Sequence, residues 1–201
     1  MDFHDIDPDE IEGAAPPVPT APAGRPAGGT LAERVATVGW DDLDAAARGY
    51  LKMRKDVCDG VYGRKWPSPG NKLSIELIAE GDRSLRFFLD VIENKRSTAL
   101  IIGLSPNRKC TMQTRKSDRP LMRIDYSTLP GALRHRNPDG TLVCGPHVHL
   151  DLDGTGARWA FPVEEQEIVV PGQPGVTPLF WAFQESCGIT EKLRIEQSLG
   201  V

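Results

Sequence analysis

The sequence predicts an α+β fold, in which a mostly antiparallel sheet carries an N-terminal helix and a C-terminal helix on one face. Apolar residues recur at helical intervals early in the chain and again near its end, whereas between these segments they alternate with polar residues as in half-buried strands. Successive strands are separated by short turns, which favours antiparallel pairing because parallel neighbours need long crossovers. With 201 residues, of which 39% are hydrophobic, the chain can form one core.

The first 29 residues differ in composition from the rest of the chain. Six acidic residues occur by position 12, followed by a segment rich in proline, alanine and glycine. Such a segment has little apolar surface to offset the entropy that ordering costs. We therefore expect a disordered acidic, Pro-rich arm at residues 1–29 and a single α+β domain at residues 30–201.

Two helices are predicted to flank the sheet. Asp41 or Asp42 can cap the N-terminal helix, whose apolar stripe runs to Val57 and ends before the sequence Cys58-Asp59-Gly60. The C-terminal helix is predicted over residues 177–187 and ends at Gly188, a residue type that favours the left-handed conformation after a helix.

The strands of the predicted sheet follow one another between the two helices. Apolar and polar residues alternate in most of these segments, and turn sequences lie between several of them. The predicted strands are residues 73–77, 85–91, 99–104, 110–115, 121–126, 147–152 and 157–163.

Six polar residues from three segments form the candidate site: Arg123, Asp125, His135, His147, His149 and Asp151. Because side chains alternate between the faces of a strand, the first two share one face of their strand and the last three share one face of theirs. The intervening loop contains the turn sequence Asn137-Pro138-Asp139-Gly140, which can fold the chain back and bring His135 to the rim of the candidate site. If the two strands are neighbours, these side chains converge on one open surface.

Metal-free cleavage of RNA is one chemistry that this set can perform. His147 and His149 would act as the acid and the base, since the reference pKa of histidine lies near neutral pH. Arg123 would stabilise the charge that builds on phosphorus. Asp125 or Asp151 would accept a hydrogen bond from an imidazole and fix its tautomer.

Two other uses of these residues are open. His147 and His149 lie in a His-x-His pattern on one strand face, and Asp151 or His135 could complete a three-ligand site for a divalent metal such as zinc. In a structural alternative, Arg123 and Asp125 form an ion pair and each histidine bonds a backbone carbonyl.

Composition excludes several classes of protein. The net charge of -4 argues against a protein that coats nucleic acid in general. No apolar run approaches the roughly 20 residues that cross a bilayer, and the acidic start lacks the basic region of a secretory signal, so we expect a cytoplasmic protein without a membrane partner. The four cysteines form no CxxC pair, which predicts reduced thiols: Cys58, Cys110, Cys144 and Cys187.

A series of short motifs resembles an uncharacterised bacterial family found largely in prophages and other mobile elements. The motifs are Arg123-Ile124-Asp125, His135-Arg136-Asn137-Pro138-Asp139-Gly140, Pro146-His147-Val148-His149, Trp159-Ala160 and Ser186-Cys187-Gly188-Ile189. The similarity extends from about Asp41 to the end of the chain. Over a few dozen residues the order of motifs is also similar to that of the TumE-like toxins of toxin-antitoxin systems.

These resemblances imply a function and a partner. The similarity to TumE-like toxins implies a small cytoplasmic toxin whose histidine cluster acts on RNA and whose partner is a cognate antitoxin. We therefore expect a toxin-like or phage-defence effector of mobile-element origin. The alternative is a noncatalytic binding or regulatory module, such as an antitoxin-like or phage accessory protein. In that module the histidines would contact another protein partner or hold a metal ion.

Overall fold

The structure, a computed structural model, describes residues 38–94, 109–129, 131–163, 166 and 175–196. The predicted acidic arm at residues 1–29 and the strand predicted at residues 99–104 lie outside these residues.

A seven-stranded sheet dominates the part of the chain that the structure describes, and every neighbouring pair in it is antiparallel. Its strands, in spatial order, are β1 (Lys55–Val57), β3 (Lys72–Ala79), β4 (Asp82–Glu93), β5 (Lys109–Lys116), β6 (Arg119–Ser127), β9 (His147–Leu150) and β10 (Trp159–Pro162). The other strands form two short pairs: antiparallel β7 (Arg134–Arg136) with β8 (Leu142–Cys144), and parallel β2 (Gly63–Lys65) with β11 (Arg194–Glu196).

Two helices pack on one face of this sheet, which confirms the predicted fold class. Helix α1, Ala45–Lys52, begins at Asp44, whose carboxylate accepts hydrogen bonds from the first turn of the helix. Helix α2, Val176–Ser186, ends just before a glycine, as predicted from the sequence. The two helices and the sheet bury side chains in one hydrophobic cluster, which includes Leu51, Phe183, Leu89, Ile124 and Val148.

The N-terminal helix is shorter than its apolar stripe predicts. Asp41 and Asp42 lie in a 3-10 turn before the helix, and the segment Lys55–Val57, predicted to be helical, forms β1. Long-range hydrogen bonds explain the difference. The backbone N–H of Lys55 donates to the carbonyl of Gly188, and its buried ammonium donates to carbonyls at the C-terminal ends of both helices. Together these bonds outweigh the local periodicity.

Strands β6 and β9 are neighbours and position the candidate site. Val148 and other apolar residues of the two strands face the core, so the alternating residues project from the opposite face. In the register between these strands Arg123 lies opposite His149, and Asp125 lies opposite His147. The two motifs therefore meet on one face, as the sequence analysis required.

A hairpin formed by β7 and β8 lies against the edge of the sheet next to the site. Asn137, in the turn of this hairpin, exchanges two hydrogen bonds with the backbone of Ala160 in β10. The turn closes through a hydrogen bond from the Gly140 N–H to the Asn137 carbonyl, and Gly140 has a φ of 89°. The Asn-Pro-Asp-Gly sequence thus anchors the hairpin beside β9 and β10.

Candidate functional site

The candidate site is centred on Asp125. Its Oδ2 atom lies 2.9 Å from Nη2 of Arg123, 3.2 Å from Nε2 of His149 and 3.5 Å from Nε2 of His147. The other oxygen accepts a hydrogen bond of 2.7 Å from the hydroxyl of Thr111 on β5. Burial alone would raise the pKa of Asp125, but the two neighbouring histidines, which can donate to it when protonated, and the charge of Arg123 outweigh burial and hold that pKa far below its usual value. Asp125 is therefore a carboxylate at neutral pH.

His149 is a neutral imidazole packed between the arginine and the carboxylate. Burial lowers its pKa to about 4, although the hydrogen bond that the protonated ring can donate to Asp125 opposes this shift. Its Nε2 atom lies 2.7 Å from Nη2 of Arg123, and because a guanidinium can only donate, Nε2 accepts this hydrogen bond. Its Nδ1 atom is buried and has no hydrogen-bond partner among the described residues.

His147 lies behind Asp125 and is oriented by the backbone. Its Nδ1 atom lies 2.7 Å from the carbonyl oxygen of Gly145. A carbonyl can only accept, so Nδ1 carries the proton and donates it. In the neutral ring, Nε2 then presents its lone pair toward Asp125.

His135, from the β7 and β8 hairpin, completes a group of three imidazoles. Its ring centre lies 4.5 Å from that of His149 and 5.9 Å from that of His147. Nε2 of His135 lies 3.3 Å from the carbonyl oxygen of Arg158, so Nε2 donates and Nδ1 is left as an acceptor. Burial lowers the pKa of this half-buried histidine. The structure thus brings His135 beside the strand motifs, where its turn was predicted to place it.

A cavity of about 300 Å³ opens onto this cluster. It is lined by Arg123, His135, Arg136, Pro138, His149, Ala157 and Arg158. Three arginines and two histidines therefore line a space whose positive charge suits an anionic group. Arg136 and Arg158 were missed in the sequence analysis, although Arg136 follows His135 directly and the turn that places the histidine also places the arginine.

The expectation of an open histidine surface is wrong. His147 and His149 are only 2% and 1% exposed, and the cavity reaches His149 but not His147. The β7 and β8 hairpin lies against this face, so the polar residues of β9 are enclosed rather than solvated. Access to the cluster runs through the arginine-lined cavity.

The placement of Asp151 with the histidines is also wrong. Strand β9 ends at Leu150, so the alternation of faces does not extend to Asp151. Its fully buried carboxylate accepts hydrogen bonds from Nε of Arg119 at 2.8 Å and from the backbone N–H of Gly154 at 2.8 Å. Arg119 also contacts Asp44, the residue that caps α1. Asp151 therefore joins the sheet to a helix, and the carboxylate beside the two histidines is Asp125.

We expect Asp151→Asn to lower the free energy of unfolding by about 2–3 kcal/mol, because Arg119 loses a buried ionic partner. The loss is smaller than for a fully buried pair, since the Arg119 side chain is partly exposed and water can solvate its charge. Urea unfolding measures this effect. Asp118→Asn, an exposed change in the adjacent turn, is the matched control and should leave stability within about 0.5 kcal/mol of the wild type. Equal stability of the two variants would contradict the structural role of Asp151.

The fold and the site together define an α+β domain with a cluster of two buried histidines and a partly buried arginine, aspartate and third histidine. Residues 43–189 match a family of unknown function, DUF6978, and the chain belongs to this family. The matched region contains both helices and all the cluster residues, and it confirms the expectation of an uncharacterised family. Searches of curated proteins and of solved structures found no match. Within the described ranges, none of the helices is both long and apolar enough to traverse a lipid bilayer.

Proposed function

We propose that the protein is a metal-independent endoribonuclease, a toxin-like or phage-defence effector of mobile-element origin. One observation carries the proposal: Arg123, His135 and His149 meet at a cavity whose other cationic residues are Arg136 and Arg158. Guanidinium groups bind phosphate oxygens through paired hydrogen bonds, and imidazoles can both accept and donate protons. An RNA phosphodiester is a substrate that uses both properties.

Arg123 is suited to stabilise the transition state. In the structure its guanidinium donates to Asp125 and to His149. A phosphate in the cavity offers charged acceptors, and the guanidinium stabilises the charge that develops on its nonbridging oxygens. When Arg123 turns toward the phosphate, it releases Nε2 of His149.

His149 is suited to be the general base, because it is neutral and its Nε2 atom has a lone pair. It takes the proton of the 2′-hydroxyl, whose oxygen attacks phosphorus. Asp125, 3.2 Å from the same nitrogen, stabilises the imidazolium that results. His147, which does not line the cavity, acts as a positioning residue for Asp125.

His135 is suited to be the general acid. It lies at the rim of the cavity and is less buried than His149, so it can exchange protons with solvent. The negative charge of a bound phosphate favours its protonated form. Its Nδ1 atom then gives a proton to the leaving 5′-oxygen, and the products are a 2′,3′-cyclic phosphate and a 5′-hydroxyl.

A second candidate function is a noncatalytic binding or regulatory module. The near-complete burial of His147 and His149 favours it, because buried histidines can serve to hold a sheet together. In this function the arginine-lined cavity binds an anionic group of a partner, such as a cognate antitoxin, without chemistry.

Controlled expression in bacteria tests the proposed function. Growth and total RNA are followed after induction of the wild type and of a His135→Ala/His149→Ala variant matched for soluble expression. We expect growth arrest and RNA cleavage with the wild type alone. Growth without arrest and intact RNA, in cells with abundant soluble wild type, would favour the binding module. Equal arrest by the two proteins would exclude the histidines as its cause.

A further inference from the structure

Three acceptor atoms converge at the base of the cluster. They are Oδ2 of Asp125 and the Nε2 atoms of His147 and His149, and the three residues can present one ligand atom each within 4.8 Å of the others. The carboxylate oxygen is 3.5 Å from the first nitrogen and 3.2 Å from the second. Ligand atoms held about 2.0–2.1 Å from a tetrahedral zinc ion are separated by about 3.3–3.4 Å. Two of the three separations therefore already match such a site.

The hydrogen bonds around the two imidazoles leave their lone pairs aimed at this point. The proton on Nδ1 of His147 is held by the Gly145 carbonyl, which is the arrangement that orients a metal-binding histidine. Nε2 of His149 accepts from Arg123. With the Asp125 carboxylate and neutral rings, three acceptors face one another, and such an arrangement favours a cation among them.

Arg123 supplies that cation in the structure. Its Nη2 atom lies 2.9 Å from the Asp125 oxygen and 2.7 Å from the His149 nitrogen, so it satisfies two of the three acceptors. Its Nε atom is buried without a hydrogen-bond partner in the described part of the chain. The guanidinium also lines the cavity and has space to leave the cluster.

We propose that Asp125, His147 and His149 form a binding site for a divalent transition metal, best suited to Zn²⁺, and that the Arg123 guanidinium competes with the ion for the same acceptors. Imidazole nitrogen and carboxylate oxygen are ligands that zinc prefers. A bound ion displaces Arg123, because two cations cannot share these acceptors. Zinc would then inhibit the metal-free reaction proposed above by occupying the base and the carboxylate.

Competition between Arg123 and zinc predicts opposite effects on zinc affinity for two kinds of substitution at this site. Removing the side chain of Arg123 should strengthen zinc binding, whereas removing a ligand should weaken it. Zn²⁺ affinity is measured by calorimetry on the full chain after chelator treatment, and Co²⁺ absorption reports tetrahedral coordination. We expect Arg123→Ala to bind zinc at least tenfold more tightly than the wild type, and Asp125→Asn and His147→Ala to bind at least 100-fold more weakly than Arg123→Ala.

A histidine outside the cluster supplies the matched control. His4→Ala, in the acidic N-terminal segment, should bind zinc as the wild type does. Circular dichroism establishes that each variant is folded. Arg123→Ala that binds zinc no more tightly than the wild type would overturn the competition, and equal binding by Arg123→Ala and the double variant Arg123→Ala/Asp125→Asn would overturn the site.

The metal site and the proposed function can fail separately. RNA cleavage that persists in chelator, with no saturable zinc binding by Arg123→Ala, would remove the metal site and leave the function. Cleavage that requires added zinc would remove the metal-free mechanism and leave the site.

Discussion

His149→Ala is expected to lower kcat for RNA cleavage by about 100-fold to 10,000-fold with little change in KM, because the variant lacks the general base but keeps the cationic cavity. The centre of the His149 ring lies 4.5 Å from that of His135, and its Nε2 atom lies 3.2 Å from Oδ2 of Asp125. Without the His149 ring, the proposed general acid His135 has no base beside it, and Asp125 has no imidazolium to stabilise. Steady-state cleavage of a short single-stranded RNA measures both parameters.

The control for His149→Ala must separate lost chemistry from lost packing. Imidazole added to the solution can enter the cavity left by the side chain and restore part of the rate, whereas it cannot repair a misfolded sheet. The variant should also keep the urea unfolding midpoint close enough to that of the wild type to be folded in the assay. A folded variant that retains more than about one-tenth of the wild-type kcat would contradict the role of His149.

Gly188→Ala is expected to destabilise the fold by about 3 kcal/mol or more. Gly188 follows α2 and has a φ of 69°, a conformation that costs other residues about 1–2 kcal/mol. A Cβ atom there would also collide with the carbonyl oxygen of Met53 and lie 2.8 Å from that of Leu51. Backbone atoms cannot move aside as a flexible side chain does, so the junction between the two helices must open.

Gly60→Ala is the matched control for this substitution. Gly60 has a nearly identical φ of 66°, but no atom lies within 4 Å of the position that its Cβ would take. Only the conformational cost of about 1–2 kcal/mol applies. Urea unfolding of both variants isolates the steric part. Equal losses of stability would show that the close approach of Gly188 to the end of α1 is not maintained in solution.

The sequence was sufficient to predict an antiparallel sheet and which polar residues share a face of each strand, whereas the pairing of the two polar strands came from the structure. Alternation in the strands of Arg123 and His149 specified which residues share a face, and short turns between successive strands favoured antiparallel pairing. Both are local properties. The turn that carries His135 was also predictable, because its proline and glycine occupy the positions that such a turn requires.

The parts that sequence reasoning missed depend on contacts between distant residues. Lys55 leaves the helix because its ammonium binds carbonyls at the ends of two helices, one of them more than a hundred residues away. Asp151 departs from the alternation because Arg119 and the turn at Gly154 bind its carboxylate. The role of Arg158 as a cavity residue follows from how a hairpin folds over the sheet, which no local pattern specifies.

Cleavage of RNA by the purified full chain in excess chelator tests the central claim most directly. The substrate is a short single-stranded RNA, compared with the same sequence carrying a 2′-deoxy sugar at the cleaved position. We expect cleavage of the RNA alone, with products ending in a 2′,3′-cyclic phosphate and a 5′-hydroxyl, and loss of this activity in His149→Ala. No cleavage by the folded wild type, or cleavage of the 2′-deoxy substrate at the same rate, would contradict it.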